Sequence, residues 1–399
     1  MKITAVRLQK LTGTMAYTGE FWEERLVRPV DLYPEHRDEA ADRLLRVSDG
    51  RYRIEAIFLW IDTDEGVSGL AGPITTQQAF VIEQQSAPLL RGADPLATER
   101  IWDRLYRSAV HGRKGIEMMA LSAIDCALWD LKGRWAGVPV YRLLGGPTRD
   151  HLPAYASALG YSVAPEQARE RAGGLVAQGY AATKWFFRHG PASGRAGMDQ
   201  NVDLVRTVRS AVGDEVDLML DCWMSWDVPY AAAMAPRLAP FHPRWIEEPV
   251  LPDRIESCAV VRRLMGTHGI PVATGEHEYT RWGHKALLEA GAADVLQPDL
   301  YWCGGISEAL KICALASTYD VQVIPHGHSV PATAQLLLSQ PASLCPWVEY
   351  LIKWNEIHQF FFQEPLQPMN GMIHVPNRPG MGMELDETKI ETERALSWV

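Results

Sequence analysis

Three acidic residues close three successive short apolar runs: Asp221 in DLMLDC, Glu247 in RWIEEP and Glu276 in PVATGEHEY. Brought together, three carboxylates repel one another and raise each other's pKa unless a cation sits among them. An all-oxygen set without cysteine or histidine favours Mg2+ or Mn2+ over zinc. The alternative is a scatter of separate ion pairs, with Arg244 and Arg281 as the arginines at hand. The next two runs, VLQPDL and VQVIPHG, carry Asp299 and His326 at their ends. An aspartate that accepts a hydrogen bond from one imidazole nitrogen orients the ring and raises its basicity, which leaves the other nitrogen as a general base. His328 has no such partner and reads as structural. Lys184 in ATKWFF brings an ammonium to the same place, either to bind an anionic substrate oxygen or to pair with one of the acids. Glu349 in WVEYL, if protonated, would donate a hydrogen bond to a developing oxyanion. His277 directly follows Glu276; strand alternation aims it away, but beyond the strand end the chain can turn it inward as a leaving-group acid, the alternative being that His326 returns the proton to the leaving group.

These residues need a frame that delivers them to one point. From about residue 147 onward, short apolar runs recur: LPAYAS, ATKWFF, DLMLDC, RWIEEP, PVATGE, VLQPDL, VQVIPHG and WVEYL. Each is followed by a helical stretch, at steps of about 24 to 35 residues, the length of one βα unit. Such a succession predicts a parallel barrel, whose strands converge at their C-terminal ends on the face where active sites are built. Upstream, ITAVRLQKL reads as a strand and YRIEAIFLWIDTDEGVSGLAG as a hairpin turning at Asp64, Glu65 and Gly66. Residues 115–137, GIEMMALSAIDCALWDLKGRWAG, have helical spacing and stop on glycine, which predicts a buried helix. Between them residues 15–49, with FWEERLVRPVDLYPEHRDEA, form a connection long enough to read as a lid, with Trp22, Arg25 and Arg28 as its expected substrate contacts.

Bulk properties narrow the classes. With 399 residues, 47% of them hydrophobic, the chain is too long for one ordinary core and predicts two domains or a barrel with an addition. A formal charge of −10 argues against a nucleic-acid partner. No apolar run reaches the roughly 18 residues of a membrane helix, and the N-terminal MKITAVRLQKL lacks the apolar core of a signal peptide. The 6 cysteines are scattered without a C-x-x-C pair, as expected of reduced thiols in a cytoplasmic protein.

Taken in order, these residues resemble the enolase superfamily and, within it, the mandelate racemase subgroup. ALSAIDCALWDLKGRWAGVPVYRLLGG is similar to that subgroup's helix signature, and DCWMSWD, GEHEYTRWG, QPDLYWCGGISE and KWFFRHGP are most like its acid-sugar dehydratases, rhamnonate dehydratase among them. The resemblance implies an α/β fold with an α+β capping domain and a modified TIM barrel, (β/α)7β. The expected division is residues 1–146 for the capping domain with its lid, 147–361 for the barrel, and 362–399 for a segment returning to the capping domain. It implies Asp221, Glu247 and Glu276 as ligands of one Mg2+ per subunit, and Asp299 with His326 as the dyad. The implied substrate is a mono-carboxylate sugar acid of five or six carbons, the product a 2-keto-3-deoxy acid, and the assembly a homo-oligomer without nucleic acid or membrane. Racemases of the subgroup carry K-x-K in the second strand, whereas here Phe186 stands where the second lysine would be. Racemisation needs proton transfer on two faces and dehydration can begin with one base, so Phe186 favours dehydration. Two rivals stand beside this reading: another reaction of the superfamily, an epimerase or cycloisomerase, and a metal-dependent sugar-acid binding protein without turnover.

Overall fold

The computed structural model describes residues 1–41 and 43–398; residue 42, inside the expected lid, and residue 399 lie outside the described residues. Near the N-terminus, burial alternates along stretches of the two long strands, as expected where one face of an antiparallel sheet covers a core. The strands are β1 (Ile3–Ala16), β2 (Arg46–Ser48), β3 (Arg51–Thr63) and β4 (Ser68–Ile74). β3 pairs antiparallel with β1, β2 and β4, and the link from β3 to β4 turns through Asp64, Glu65 and Gly66. The expected lid is shorter than residues 15–49, because β1 runs on through Ala16 and β2 claims Arg46–Ser48. Between them, among the described residues, lie two brief helical turns, Pro29–Leu32 and Pro34–Arg37.

The helix Ile116–Ala136 ends on Gly137, whose φ of 68° is the left-handed conformation that glycine adopts without a Cβ penalty. Its apolar side packs on β4 and its polar buried groups reach the barrel. Asp125 accepts the Ser307 amide at 2.9 Å and the Ser307 hydroxyl at 2.6 Å, in the first turn of the helix Gly305–Ser317. Ser122 accepts the Gly304 amide at 2.8 Å. The helix thereby grips the loop that follows Asp299.

Eight parallel strands follow: β5 (Leu152–Ser157), β6 (Ala182–Phe186), β7 (Asp217–Asp221), β8 (Trp245–Glu247), β9 (Val272–Thr274), β10 (Val295–Leu296), β11 (Gln322–Val323) and β12 (Val348–Leu351). Neighbours in sequence are neighbours in the sheet from β5 to β11, and β12 pairs with β5, which curls the sheet into a barrel. Helices separate the strands, as in a (β/α)7β barrel. β13 (Met372–Ile373) pairs with β5, and β14 (Thr392–Ala395) lies antiparallel on β1.

Tyr155, Ala182, Met219, Trp245, Ala273, Val295 and Ile324 form one buried cluster, with Trp347 against it. Two residues beyond each come Ser157, Lys184, Asp221, Glu247, Gly275, Gln297, His326 and Glu349. Side chains two apart on a strand face the same way, so the layer above a dry plug is the polar one. The barrel is closed at one level and chemically equipped at the next.

Candidate active site

Lys184, 3% exposed, stands at the centre of that polar layer. Its ammonium pairs with Glu247, with Glu349 Oε1 at 2.7 Å and with Asp221 Oδ2 at 3.6 Å. Burial would lower the lysine's pKa, but these carboxylates, Glu247 first, raise it well above its ordinary value. Of the two roles expected for Lys184, pairing is the one this structure displays.

Each acid is also held by a second group. Glu247 Oε2 accepts Trp245 Nε1 at 3.0 Å and Gln297 Nε2 at 2.8 Å. Asp221 Oδ1 accepts the Trp223 amide at 2.9 Å, where the chain turns through positive φ at Trp223 and Met224. Glu349 Oε2 accepts the Gly327 amide at 3.1 Å. Burial pushes Asp221 well up, with Glu247 adding to it, and burial likewise brings Glu276 to about 7. The arginines that would make these acids ordinary ion-pair partners are engaged elsewhere, Arg244 with Asp217 at 3.8 Å and Arg281 with Glu308 at 2.7 Å.

The structure revises the part expected of Glu349. Burial alone would raise its pKa, but Lys184 and then His326 pull it below the ordinary value, so the group is an acceptor rather than a protonated donor.

His326 Nδ1 lies 2.8 Å from Asp299 Oδ2, while Asp299 Oδ1 accepts the Tyr301 amide at 2.7 Å. The other ring nitrogen, Nε2, faces Glu276 Oε1 at 3.4 Å. Burial opposes protonation of the ring, yet Glu276 and the Asp299 hydrogen bond bring its pKa up to about 10. His277 approaches the same carboxylate oxygen, with Nε2 at 3.8 Å from Glu276 Oε1. Its Nδ1 lies 2.7 Å from Glu248 Oε2 and its amide donates to Glu248 Oε1 at 3.2 Å. Against the effect of burial, Glu248 and Glu276 raise His277 to about 9.

Glu248 is the residue that sequence reasoning missed. Alternation aims it away from Glu247, but its φ of 39° breaks the strand geometry and brings its carboxylate under His277. The doubled glutamate in WIEEP was the available signal. The site thus holds two imidazoles, each oriented by its own carboxylate. Among the described residues, the acids and imidazole whose ligand atoms all lie within 4.8 Å of one another are Glu248, Glu276 and His277; Asp221 and Glu247 are not part of that group and pair with Lys184 instead. The Trp302 ring packs against both imidazoles, 5.2 Å from His326 and 5.5 Å from His277. His328 is buried against His358, with ring centroids 4.6 Å apart, and burial holds its pKa well below the ordinary value.

The lid residues separate by role. Trp22 packs on Trp354 with ring centroids 4.9 Å apart. Arg25 is 8% exposed and donates to the carbonyls of Leu26, His36, Arg37 and Glu39 and to Asp31 Oδ2 at 2.7 Å. A guanidinium has five N–H donors, so Arg25 braces the lid from within and retains none for a ligand. Arg28 pairs with Glu39 and borders a cavity of about 460 Å3, together with Arg188, Ser225 and Trp226; neither His326 nor the acids around Lys184 line it.

Comparison with known proteins agrees with this architecture. Residues 167–389 match the enolase C-terminal domain-like family, and residues 49–145 match the N-terminal domain of mandelate racemase / muconate lactonizing enzyme. The chain is 35% identical to L-rhamnonate dehydratase of Saccharopolyspora erythraea, over 97% of either protein. Its structure resembles rhamnonate dehydratase from Gibberella zeae complexed with Mg, with a TM-score of 0.81, 28% identity, and 97% and 95% of the two chains covered. A racemase from Streptomyces coelicolor with bound magnesium has a TM-score of 0.78 and 28% identity, with 97% and 98% covered.

Proposed function

The chain belongs to the mandelate racemase / muconate lactonizing enzyme family of the enolase superfamily, and on that premise we propose that it is an acid-sugar dehydratase dependent on Mg2+. The observation that carries the reading is the pair of oriented imidazoles flanking Glu276 beside a cluster of buried acids. One imidazole suffices to remove a proton; a second, separately oriented, suits a reaction that must also protonate a leaving group.

Asp221, Glu247 and Glu276 would hold the cation. Their donor atoms are all carboxylate oxygens, which suits Mg2+, and the burial that raises Asp221 and Glu276 is a penalty on their charged forms that a cation would offset. The bound ion would supply positive charge to the substrate's carboxylate as its α-carbon loses a proton. Lys184 adds a second positive charge on that side. His326, held by Asp299, takes the α-proton through Nε2. Glu276 is the leading group raising His326, so neutralising Glu276 brings the ring back toward its basic form. The hydroxyl on the next carbon leaves with a proton from His277, which Glu248 orients and favours in its charged form. The resulting enol tautomerises to a 2-keto-3-deoxy acid. Phe186, 2% exposed on β6, cannot serve as a second base, and no lysine other than Lys184 pairs with Asp221, Glu247, Glu276 or Glu349 among the described residues.

Screening mono-carboxylate sugar acids of five and six carbons for 2-keto acid formation, with and without Mg2+, tests the proposal. Exchange of the α-proton without loss of water would instead identify an epimerase, and binding without either reaction a non-catalytic receptor. The His277→Asn variant separates the two proton transfers. Dehydration is expected to fall by about 100-fold or more, while exchange of the α-proton with deuterated solvent persists; equal loss of both would remove His277 from its role as acid.

A further inference from the structure

Lys353 lies in IKWNE, just beyond the strand that carries Glu349, and takes no part in the chemistry above. It is 1% exposed, and a buried ammonium is tolerable only when its hydrogens are matched. All three are. Lys353 Nζ donates to the Phe21 carbonyl, to Glu23 Oε1 at 2.8 Å and to the Gly160 carbonyl at 3.1 Å. The Tyr161 ring lies 4.3 Å away, a cation–π distance.

The acceptors belong to two parts of the chain. Phe21 and Glu23 come from the lid; Gly160 follows β5 at the mouth of the barrel. Around this ammonium the lid is sewn to the barrel. The Glu23 amide donates to the Gly160 carbonyl at 2.9 Å, and the Ser162 amide to Glu23 Oε2 at 3.0 Å. Further along, the Val27 amide donates to the Phe187 carbonyl at 2.8 Å. Gly160 has a φ of 88°, and a Cβ there would collide with the Trp22 ring. Trp22, between the two lid residues that Lys353 holds, packs on Trp354. From Trp354 an aromatic wall runs through His358, His328 and Trp302 to His326.

We propose that Lys353 is a positioning residue: it latches residues 21–27 of the lid to the barrel mouth and so fixes Trp22 as the outer end of the wall along which a sugar acid is bound. The substrate half rests on the dehydratase reading; the latch does not. Amide hydrogen exchange in the full-length Lys353→Met protein tests the latch directly. The amides of Glu23 and Val27 should exchange about tenfold faster or more, while those of β7 remain as in the native protein. For the sugar acid that the native enzyme turns over, KM should rise about tenfold with kcat within about threefold, the signature of lost binding rather than lost chemistry. Glu23→Gln, at a partly exposed carboxylate, should move both readings in the same direction by less, and it carries the test should Lys353→Met fail to fold. Native exchange at Glu23 and Val27 overturns the latch, as does equal acceleration throughout the barrel. An unchanged KM beside faster exchange overturns the placement of Trp22. Faster exchange in a protein that turns over no sugar acid supports the latch and counts against the dehydratase reading.

Discussion

Replacing His326 by asparagine is expected to reduce kcat by about 1,000-fold or more, within the range for loss of a positioned general base. Exchange of the substrate's α-proton with deuterated solvent should vanish with it. The argument is geometric. His326 Nδ1 is fixed on Asp299 at 2.8 Å, so only Nε2 is available, and it faces the carboxylate cluster. Asparagine fills much of the same volume and Asp299 keeps the Tyr301 amide, so the fold should survive. Comparing exchange in the His326→Asn and His277→Asn proteins then assigns the two proton transfers to separate rings. Persistent α-proton exchange in the His326→Asn protein would sink the assignment of the base.

Asp221→Asn should move activity and stability in opposite directions. In metal-free protein near neutral pH, the thermal midpoint is expected to rise by on the order of 2 °C or more, while activity and the response to Mg2+ are lost. The sign follows from burial, with Glu247 reinforcing it, which raises Asp221 well above its ordinary pKa of 3.8. A carboxyl group raised in the folded state is costly once pH exceeds its unfolded value, and the cost grows until pH passes the folded one. Asparagine removes that cost, and its carbonyl oxygen can still accept the Trp223 amide. Below about pH 4, where aspartate is protonated in both states, the advantage should disappear. The native protein should instead gain about 2.7 kcal/mol at a Mg2+ concentration 100-fold above Kd, a gain the variant lacks. Scanning calorimetry with and without Mg2+ at two pH values decides it: a metal-free variant no more stable than the native protein, or one that keeps the full Mg2+ gain, would refute the reading of Asp221.

Much of this was legible in the order of residues because a barrel turns sequence periodicity into position. Apolar runs at βα spacing locate the strands, and a charge at a run's end is delivered to the common face. The pairing of Asp299 with His326 could be anticipated for that reason, since adjacent strands in sequence are adjacent in the barrel. Where the chain leaves strand geometry, the same reasoning fails. Glu248 reaches His277 through a positive φ that alternation does not foresee. Arg25 read as a ligand contact because it is a cation in a lid, yet its donors are consumed by carbonyls of the same loop.

By itself, then, the amino-acid order determined the barrel, the acids at its mouth and the absence of a second lysine at Phe186, all consequences of repeating local pattern. Tertiary structure alone decided which charges meet: that Lys184 is shared among Glu247, Glu349 and Asp221, that Glu349 stays ionised, and that Lys353 joins lid to barrel. Protonation and pairing depend on distances of a few ångströms between segments far apart in the chain, in a medium from which water is excluded. No local pattern encodes those distances.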